Sequence, residues 1–317
     1  MIGNFTFELM NCELAPIALF TYRRLDTLKI TIDSLVNCKL SEDSELYIFS
    51  DGAKNSKDDS QVKQVRNYIR NITGFKKINF HLSDKNLGLA NSIISGVSTI
   101  LEIHESVIVL EDDLVFTSNF LQFMNLALNE YTHHYNVFSV SGYSFNLKIP
   151  VGYSKDGYFL NRGWSWGWAT WRNRWIGIDW EIKDYDTFRS DRKAMHNFGK
   201  GGSDLNRMLK KQINGKIDSW AIRWFYHQYK VGGLTMYPIL SKVYNNGFGD
   251  LSTHTKGSSK RYLPVLDKVL SEKFDFPKDM TSYTAQFQKK FISKMNFFSR
   301  IVARIQSFVI LFVSKRN

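Results

Sequence analysis

Short, continuous apolar runs alternate with longer stretches of helical periodicity through the first half of the chain, and this pattern most restricts the fold. Ile17-Ala18-Leu19-Phe20 reads as a buried strand and is followed by Leu25, Leu28, Ile32 and Leu35 at helical spacing. Leu46-Tyr47-Ile48-Phe49 repeats the strand pattern and ends at Ser50-Asp51-Gly52, ahead of a polar helix with Val62, Val65 and Ile69 in register. Ile78 to Leu82 is a third strand, followed by a helix face of Leu89, Ile93, Val97 and Ile100. Val107-Ile108-Val109-Leu110 is a fourth, running directly into Glu111-Asp112-Asp113 and then, on this reading, into the helix of Phe120, Phe123, Leu126 and Leu128. Val137 to Ser141 is a fifth. Apolar strands without alternation, each separated from the next by a helix, indicate a parallel sheet covered on both faces.

The second half reads differently. Gly152 to Gly177 is rich in Gly and Trp, residues 204–214 and 218–229 look helical, and Asn245 to Lys260 is a loop of Gly, Ser, Thr and Asn. No internal repeat or long linker divides the chain, and 317 residues suffice for one large α/β domain. The expected organisation is a domain over 14–260, with a nucleotide-binding half at 14–145 and an acceptor-side half at 146–260, and an extension over 261–317. Two cysteines, Cys12 and Cys38, supply neither a disulfide framework nor metal-type spacing. The segment Met1 to Glu13 carries Glu8 and Glu13 and lacks a basic leader, so the expected compartment is the cytoplasm.

The net charge of +12 is concentrated at one end. After Asp279 there is no acidic residue, and Lys289, Lys290, Lys294, Arg300, Arg304, Lys315 and Arg316 account for seven of those charges, leaving +5 for the rest. Basic excess in an apolar tail, without a recognition motif, argues against nucleic-acid binding. Residues 295–317 read as a basic amphipathic helix, since Arg300 and Arg304 lie one turn apart among Phe, Ile, Val and Leu. Such a helix either lies on an anionic membrane surface, here the inner face of a plasma membrane, or docks on the domain or on a second copy.

In open α/β sheets, ligands bind beyond the carboxyl ends of the strands. Thr21-Tyr22-Arg23-Arg24, Ser50-Asp51-Gly52 and Glu111-Asp112-Asp113 all fall at such ends. An arginine at 23 or 24 would match diphosphate oxygens bidentately, and Asp51 would accept from a base or ribose. Carboxylate oxygens suit a hard cation, Mn²⁺ or Mg²⁺, holding a substrate diphosphate; an acidic triplet is otherwise a solvated turn.

Taken in order, these blocks resemble glycosyltransferases of GT-A fold, in the family 2-like and N-acetylglucosaminyltransferase I-like group of bacterial type. The matching pieces are residues 17–24, Tyr47 to Gly52, Asn86-Leu87-Gly88-Leu89-Ala90 and Val107 to Leu114 continuing into Asn119-Phe120-Leu121. Val137 to Ser141, Gly163-Trp164 to Trp171, Asp218-Ser219-Trp220 and Gly247 to His254 follow. The resemblance covers roughly residues 14–255. It implies a Rossmann-like, mostly parallel sheet, a UDP-sugar donor, and a glycan or lipid-linked glycan acceptor of surface polysaccharide or lipopolysaccharide synthesis. By position it makes Asp113 the metal ligand, Asp112 the ribose contact and Glu111 the residue facing the donor sugar, with Thr21, Arg23 and Asp51 on phosphate and base. It makes Asp218 the general base of an inverting transfer. No residue of Gly88 to Ile100 matches the family's nucleotide-contacting histidine.

Apart from the resemblance, Asp218 reads equally as the cap of the helix beginning at Trp220. Trp164, Trp166 and Trp168 alternate like a strand, and Trp164 and Trp166 either line a sugar pocket or pack a subdomain core. His254 either closes the site near the metal or sits in a surface loop. His133-His134 reads as a solvated helix end. Two other functions fit the pattern less well. A sugar-nucleotide nucleotidylyltransferase would want glycine after the first strand, and Thr21 to Leu25 has none. A non-catalytic nucleotide- or glycan-binding protein would bind without turnover.

Overall fold

The computed structural model describes residues 13–247, 262–278 and 283–295. The first half folds as its periodicity dictates: β1 (Ile17–Thr21), α1 (Leu25–Val36), β2 (Glu45–Ser50), α2 (Ser56–Ile69), β3 (Lys77–Leu82), α3 (Leu89–Ile103) and β4 (Ser106–Glu111). A three-residue strand, β5 (Leu114–Phe116), then precedes α4 (Phe120–Glu130), so the acidic triplet leads into a strand and not directly into a helix. β6 (Val137–Ser141) closes this half.

The second half supplies β7 (Gly157–Leu160), β8 (Trp168–Trp171), four short helices α5 (Arg172–Trp175), α6 (Tyr185–Ser190), α7 (Arg192–Gly199) and α8 (Leu205–Ile213), and the longer α9 (Trp220–Lys230). It continues with β9 (Leu234–Pro238), β10 (Val243–Asn245) and α10 (Thr284–Lys294).

Eight strands form one sheet in the order β3-β2-β1-β4-β8-β6-β9-β7. The pairs β3–β2, β2–β1, β1–β4 and β6–β9 are parallel, while β4–β8, β8–β6 and β9–β7 are antiparallel. The result is a mostly parallel α/β sheet with helices on both faces, consistent with a GT-A, Rossmann-like fold. The pleat sends alternate residues of β4 into opposite cores. Ile108 and Leu110 pack with α1, α2 and α4, whereas Val107 and Val109 pack with α3 and α9. Trp168, Trp175, Trp220 and Trp224 fill the second core, with Trp168 stacked on Trp220 at 4.9 Å.

β5 and β10 form a separate antiparallel ribbon that pairs Asn245 with Leu114. A buried ion pair secures its base. Lys242 and Asp267 are in contact, with side chains only 6% and 3% exposed. Asp267 also accepts from Asn119 Nδ2 at 2.9 Å and from the backbone N–H of Val269 at 2.9 Å. Burial works against the Asp267 charge, but the bonds from Lys242 and Asn119 outweigh it and hold the carboxyl below its usual range. Asp267 thus ties its stretch of the described residues 262–278 to the domain, and α10 packs on it as well, with Phe291 meeting Phe145 at 4.9 Å. No described helix is long and apolar enough to cross a membrane; the expected tail helix lies outside the described residues beyond Met295.

Replacing Asp267 by Ala strands the Lys242 ammonium and should cost about 3–5 kcal/mol in urea unfolding at pH 7. Because the folded carboxyl titrates below the unfolded one, its contribution is present above about pH 4 and lost as pH falls through the lower folded value. The gap between wild type and Asp267→Ala should therefore narrow at pH 3. An equal gap at both pH values would contradict this assignment.

Candidate active site

β2, β1 and β4 lie side by side and parallel, so the segments after Ser50, Thr21 and Glu111 emerge along one edge of the sheet. The register sets Phe20 opposite Glu111, which places Thr21 next to Asp112. Thr21 Oγ1 donates to Asp112 Oδ2 at 3.0 Å, and the Tyr22 backbone N–H donates to the same oxygen at 3.2 Å. Arg24 Nη2 donates to Asp112 Oδ1 at 2.6 Å and to Asp113 Oδ2 at 2.9 Å. One guanidinium nitrogen thus bridges two carboxylates.

Asp113 is also held from the ribbon. Asn245 Nδ2 donates to its Oδ1 at 3.2 Å, and the Asn246 N–H donates to its carbonyl at 2.7 Å. Gly247 follows, its N–H bonded to Asn245 Oδ1 at 2.8 Å. A Cβ at 247 would overlap the Asp113 carboxylate, so the chain passes this close only as glycine.

The charges respond to the crowding. Burial, then the neighbouring Asp113 and Asp112, push the Glu111 carboxyl up to about 8. Burial also raises Asp113, against the pull of Arg24. For Arg24, burial opposes the charge, but the two aspartates outweigh it and hold the guanidinium above even its usual range.

The sequence left Arg23 and Arg24 as alternatives, and the structure separates them. Arg23 turns away to pair with Asp58 near the start of α2, where Tyr22 Oη also donates to Asp58 at 2.9 Å. The arginine at the carboxylates is Arg24, whereas the resemblance pointed to Arg23. Asp51 is near the same edge but engaged within the fold. Its Oδ1 accepts from the N–H groups of Gly52 at 2.9 Å and Leu87 at 2.8 Å; its Oδ2 accepts from Gly88 N–H at 2.9 Å and Asn86 Nδ2 at 3.0 Å. It fastens the β3–α3 loop and caps the start of α3, and Gly52 lets the Lys85 carbonyl approach where a side chain could not.

Trp164 and Trp166 do not lie on a strand: residues 162–167 are loop, and only Trp168 belongs to β8. Both indoles join an aromatic cluster after β6. Trp164 stacks on Tyr143 at 5.2 Å and 18° and meets Trp166 edge-on at 5.2 Å, and Tyr262 stands 5.7 Å from Trp164. The Trp164 indole N–H is buried and finds no acceptor among the described residues. Gly247 beside Asp113 and Tyr262 beside Trp164 flank the segment that carries His254, which lies outside the described residues.

Asp218 is not the cap of α9. Ser219 is, with its hydroxyl accepting from Ile222 N–H at 3.4 Å. Asp218 is exposed and accepts from Arg223 Nη2 at 2.8 Å. Its neighbour Trp220 packs on Trp168, which lies opposite Val109 near the end of β4, so the start of α9 is at the carboxylate end of the sheet. Arg223 also lines a cleft of about 410 Å³ with Trp180, Tyr185 and Gln212. Among the described residues, no group of three His, Cys, Asp or Glu side chains converges for a metal ion. The oxygen pair of Asp112 and Asp113 nonetheless fits a hard cation, because both already share one cationic nitrogen.

Substituting Asp51→Ala should raise amide hydrogen exchange at Leu87 and Gly88, lowering their opening free energy by about 2 kcal/mol. Unchanged protection there would show that the Asp51 carboxylate is not committed to the loop.

No family model matches the sequence, and no curated protein matches it. Among solved structures, the chain is similar to S. aureus TarS, with 15% identity over 44% of this chain and 22% of that one (TM-score 0.31). It is also similar to S. aureus TarS 1-349, at 10% identity over 73% and 60% (TM-score 0.42). A third is GalNAc-T7 with UDP, GalNAc and Mn²⁺, at 11% identity over 74% and 44% (TM-score 0.46). The chain spans between 22% and 60% of the length of these structures.

Proposed function

We propose that this chain transfers a sugar from a nucleoside-diphosphate sugar, with a UDP-sugar as the expected donor, to a hydroxyl of a glycan or lipid-linked glycan, with inversion. One observation carries the reading. Thr21, Arg24, Asp112 and Asp113 converge where β1 and β4 end, the position at which open α/β sheets take their ligands. The absence of glycine between Thr21 and Leu25 works against the nucleotidylyltransferase alternative.

In this reading the paired oxygens of Asp112 and Asp113 hold a divalent cation, Mn²⁺ or Mg²⁺, which when bound neutralises charge on the departing nucleoside diphosphate. The chain's own groups do the rest. Thr21 and the Tyr22 N–H fix Asp112 through Oδ2, which turns Oδ1 toward Arg24 and the place the cation would take. Glu111, at the end of β4, faces the donor sugar, where its carboxyl can hydrogen-bond a sugar hydroxyl. Trp164 and Trp166 offer aromatic faces to sugar C–H surfaces. Asp218 is exposed at the same end of the sheet and takes the acceptor proton as general base, held by Arg223 at the rim of the Trp180–Tyr185 cleft.

The test is turnover of a panel of nucleotide sugars by the full chain with and without Mn²⁺. Asp113→Ala should lower kcat by about 10³-fold, near 4 kcal/mol of transition-state stabilisation. Asp218→Asn should lower transfer about 10²–10⁴-fold while leaving donor KM unchanged. Full activity in Asp113→Ala, or no turnover of any donor, would overturn the proposal.

A further inference from the structure

Arg24 occupies an unusual seat. It is the N-cap of α1, a position that favours Ser, Thr, Asp or Asn because their side chains accept from free backbone N–H groups. Arg24 makes no such bond, and a cation at a helix N-terminus opposes the helix dipole. Its side chain crosses instead to the Asp112–Asp113 pair, and a single nitrogen, Nη2, contacts one oxygen of each. That nitrogen stands where a hard cation shared by the same oxygens would stand. The two cannot be there together, since both need the same lone pairs at contact distance.

We infer that Arg24 is a resident counter-ion which the incoming divalent cation must displace, and which, once displaced, is free to pair with the donor diphosphate. This rests on the proposed nucleotide-sugar function. The consequence is reciprocal coupling. Metal alone meets oxygens already held by Arg24 and binds weakly. Metal with a diphosphate binds well, because the released guanidinium gains phosphate oxygens in place of the carboxylates it surrenders, a match its planar fork makes bidentately. Arg24 therefore acts as a positioning residue that partly compensates the carboxylate pair until metal arrives and makes metal and nucleotide bind as a unit.

The experiment is calorimetric titration of MnCl₂ into the full chain, wild type and Arg24→Gln, with and without UDP. Without UDP, Arg24→Gln should bind Mn²⁺ at least about tenfold more tightly than wild type, within the usual range of site–site coupling. UDP should tighten Mn²⁺ binding strongly in wild type and little in the variant. Arg24→Lys keeps a cation but loses the fork, and should fall between them; it also serves if the Gln variant does not fold. Adding Asp113→Asn to Arg24→Gln should abolish the gain. If both proteins bind Mn²⁺ equally in the presence of UDP, and Arg24→Gln shows no gain without it, the inference fails while the proposed function stands. If neither binds Mn²⁺ under any condition, both fail.

Discussion

The site depends on a balance of charge at the end of one strand. Three adjacent carboxyls follow four buried aliphatic residues of β4, and a low-dielectric setting of that kind tolerates charge only when it is paired. Arg24 supplies the pairing, and it can do so only because β1 lies beside β4 in a register that brings the β1–α1 turn over Asp112 and Asp113. The parallel β1–β4 pairing is thus the premise of the chemistry. A register shifted by one residue would turn Thr21 and Asp112 to opposite faces and leave the carboxylates without their donors.

Elements far from the carboxylates serve the same geometry. Asp267 fixes Lys242, whose own N–H donates to Gly142 and whose carbonyl accepts from Thr117, so the entrance to β10 is held from three sides. β10 then delivers Asn245 to Asp113 and Gly247 alongside it. On the opposite side, Asp51 ties the β3–α3 loop to the end of β2. Arg66 reinforces that corner, donating through Nη2 to the Ser83 carbonyl at 2.6 Å. The buried polar groups around the site therefore work mainly on backbone position, which a rigid constellation requires.

How much of this could be read in advance follows from which interactions are local. Strands buried on both faces and amphipathic helices carry their own signature, so β1 to β4, β6 and the helices between them stand out in the sequence. The short strands β7 to β10 do not, because their pairing partners are remote and their patterns too brief. The Trp164-Trp166-Trp168 alternation imitates a strand, yet Gly167, at φ +58°, turns the chain just before β8 and leaves only Trp168 in the sheet. Neighbouring residues were harder still. Arg23 and Arg24 are chemically identical, and only the turn after Thr21 decides which faces Asp58 and which faces the triplet. Asp51 was legible as a polar group at a strand end, but its acceptors were not legible as spoken for, since the donors come from the Leu87 and Gly88 backbone. Asp218 and Ser219 both fit a helix start, and the cap falls to the serine.

The charges around Arg24 also limit what the pocket can take. Asp112 and Asp113 outnumber the single guanidinium, so the pocket keeps a net negative charge, to which Glu111 adds whenever it is ionised. On the proposed function, a nucleoside diphosphate arriving alone would bring further negative charge into a half-buried site, where repulsion is far less screened than in water. Arg24 cannot compensate both the carboxylates and the diphosphate at once. On the proposed function a second cation accompanies the nucleotide, and among the described residues the oxygens Arg24 touches are placed to share it. The contact between Arg24 and the two aspartates thereby sets a condition on the proposed ligand, which would need to bring its own positive charge.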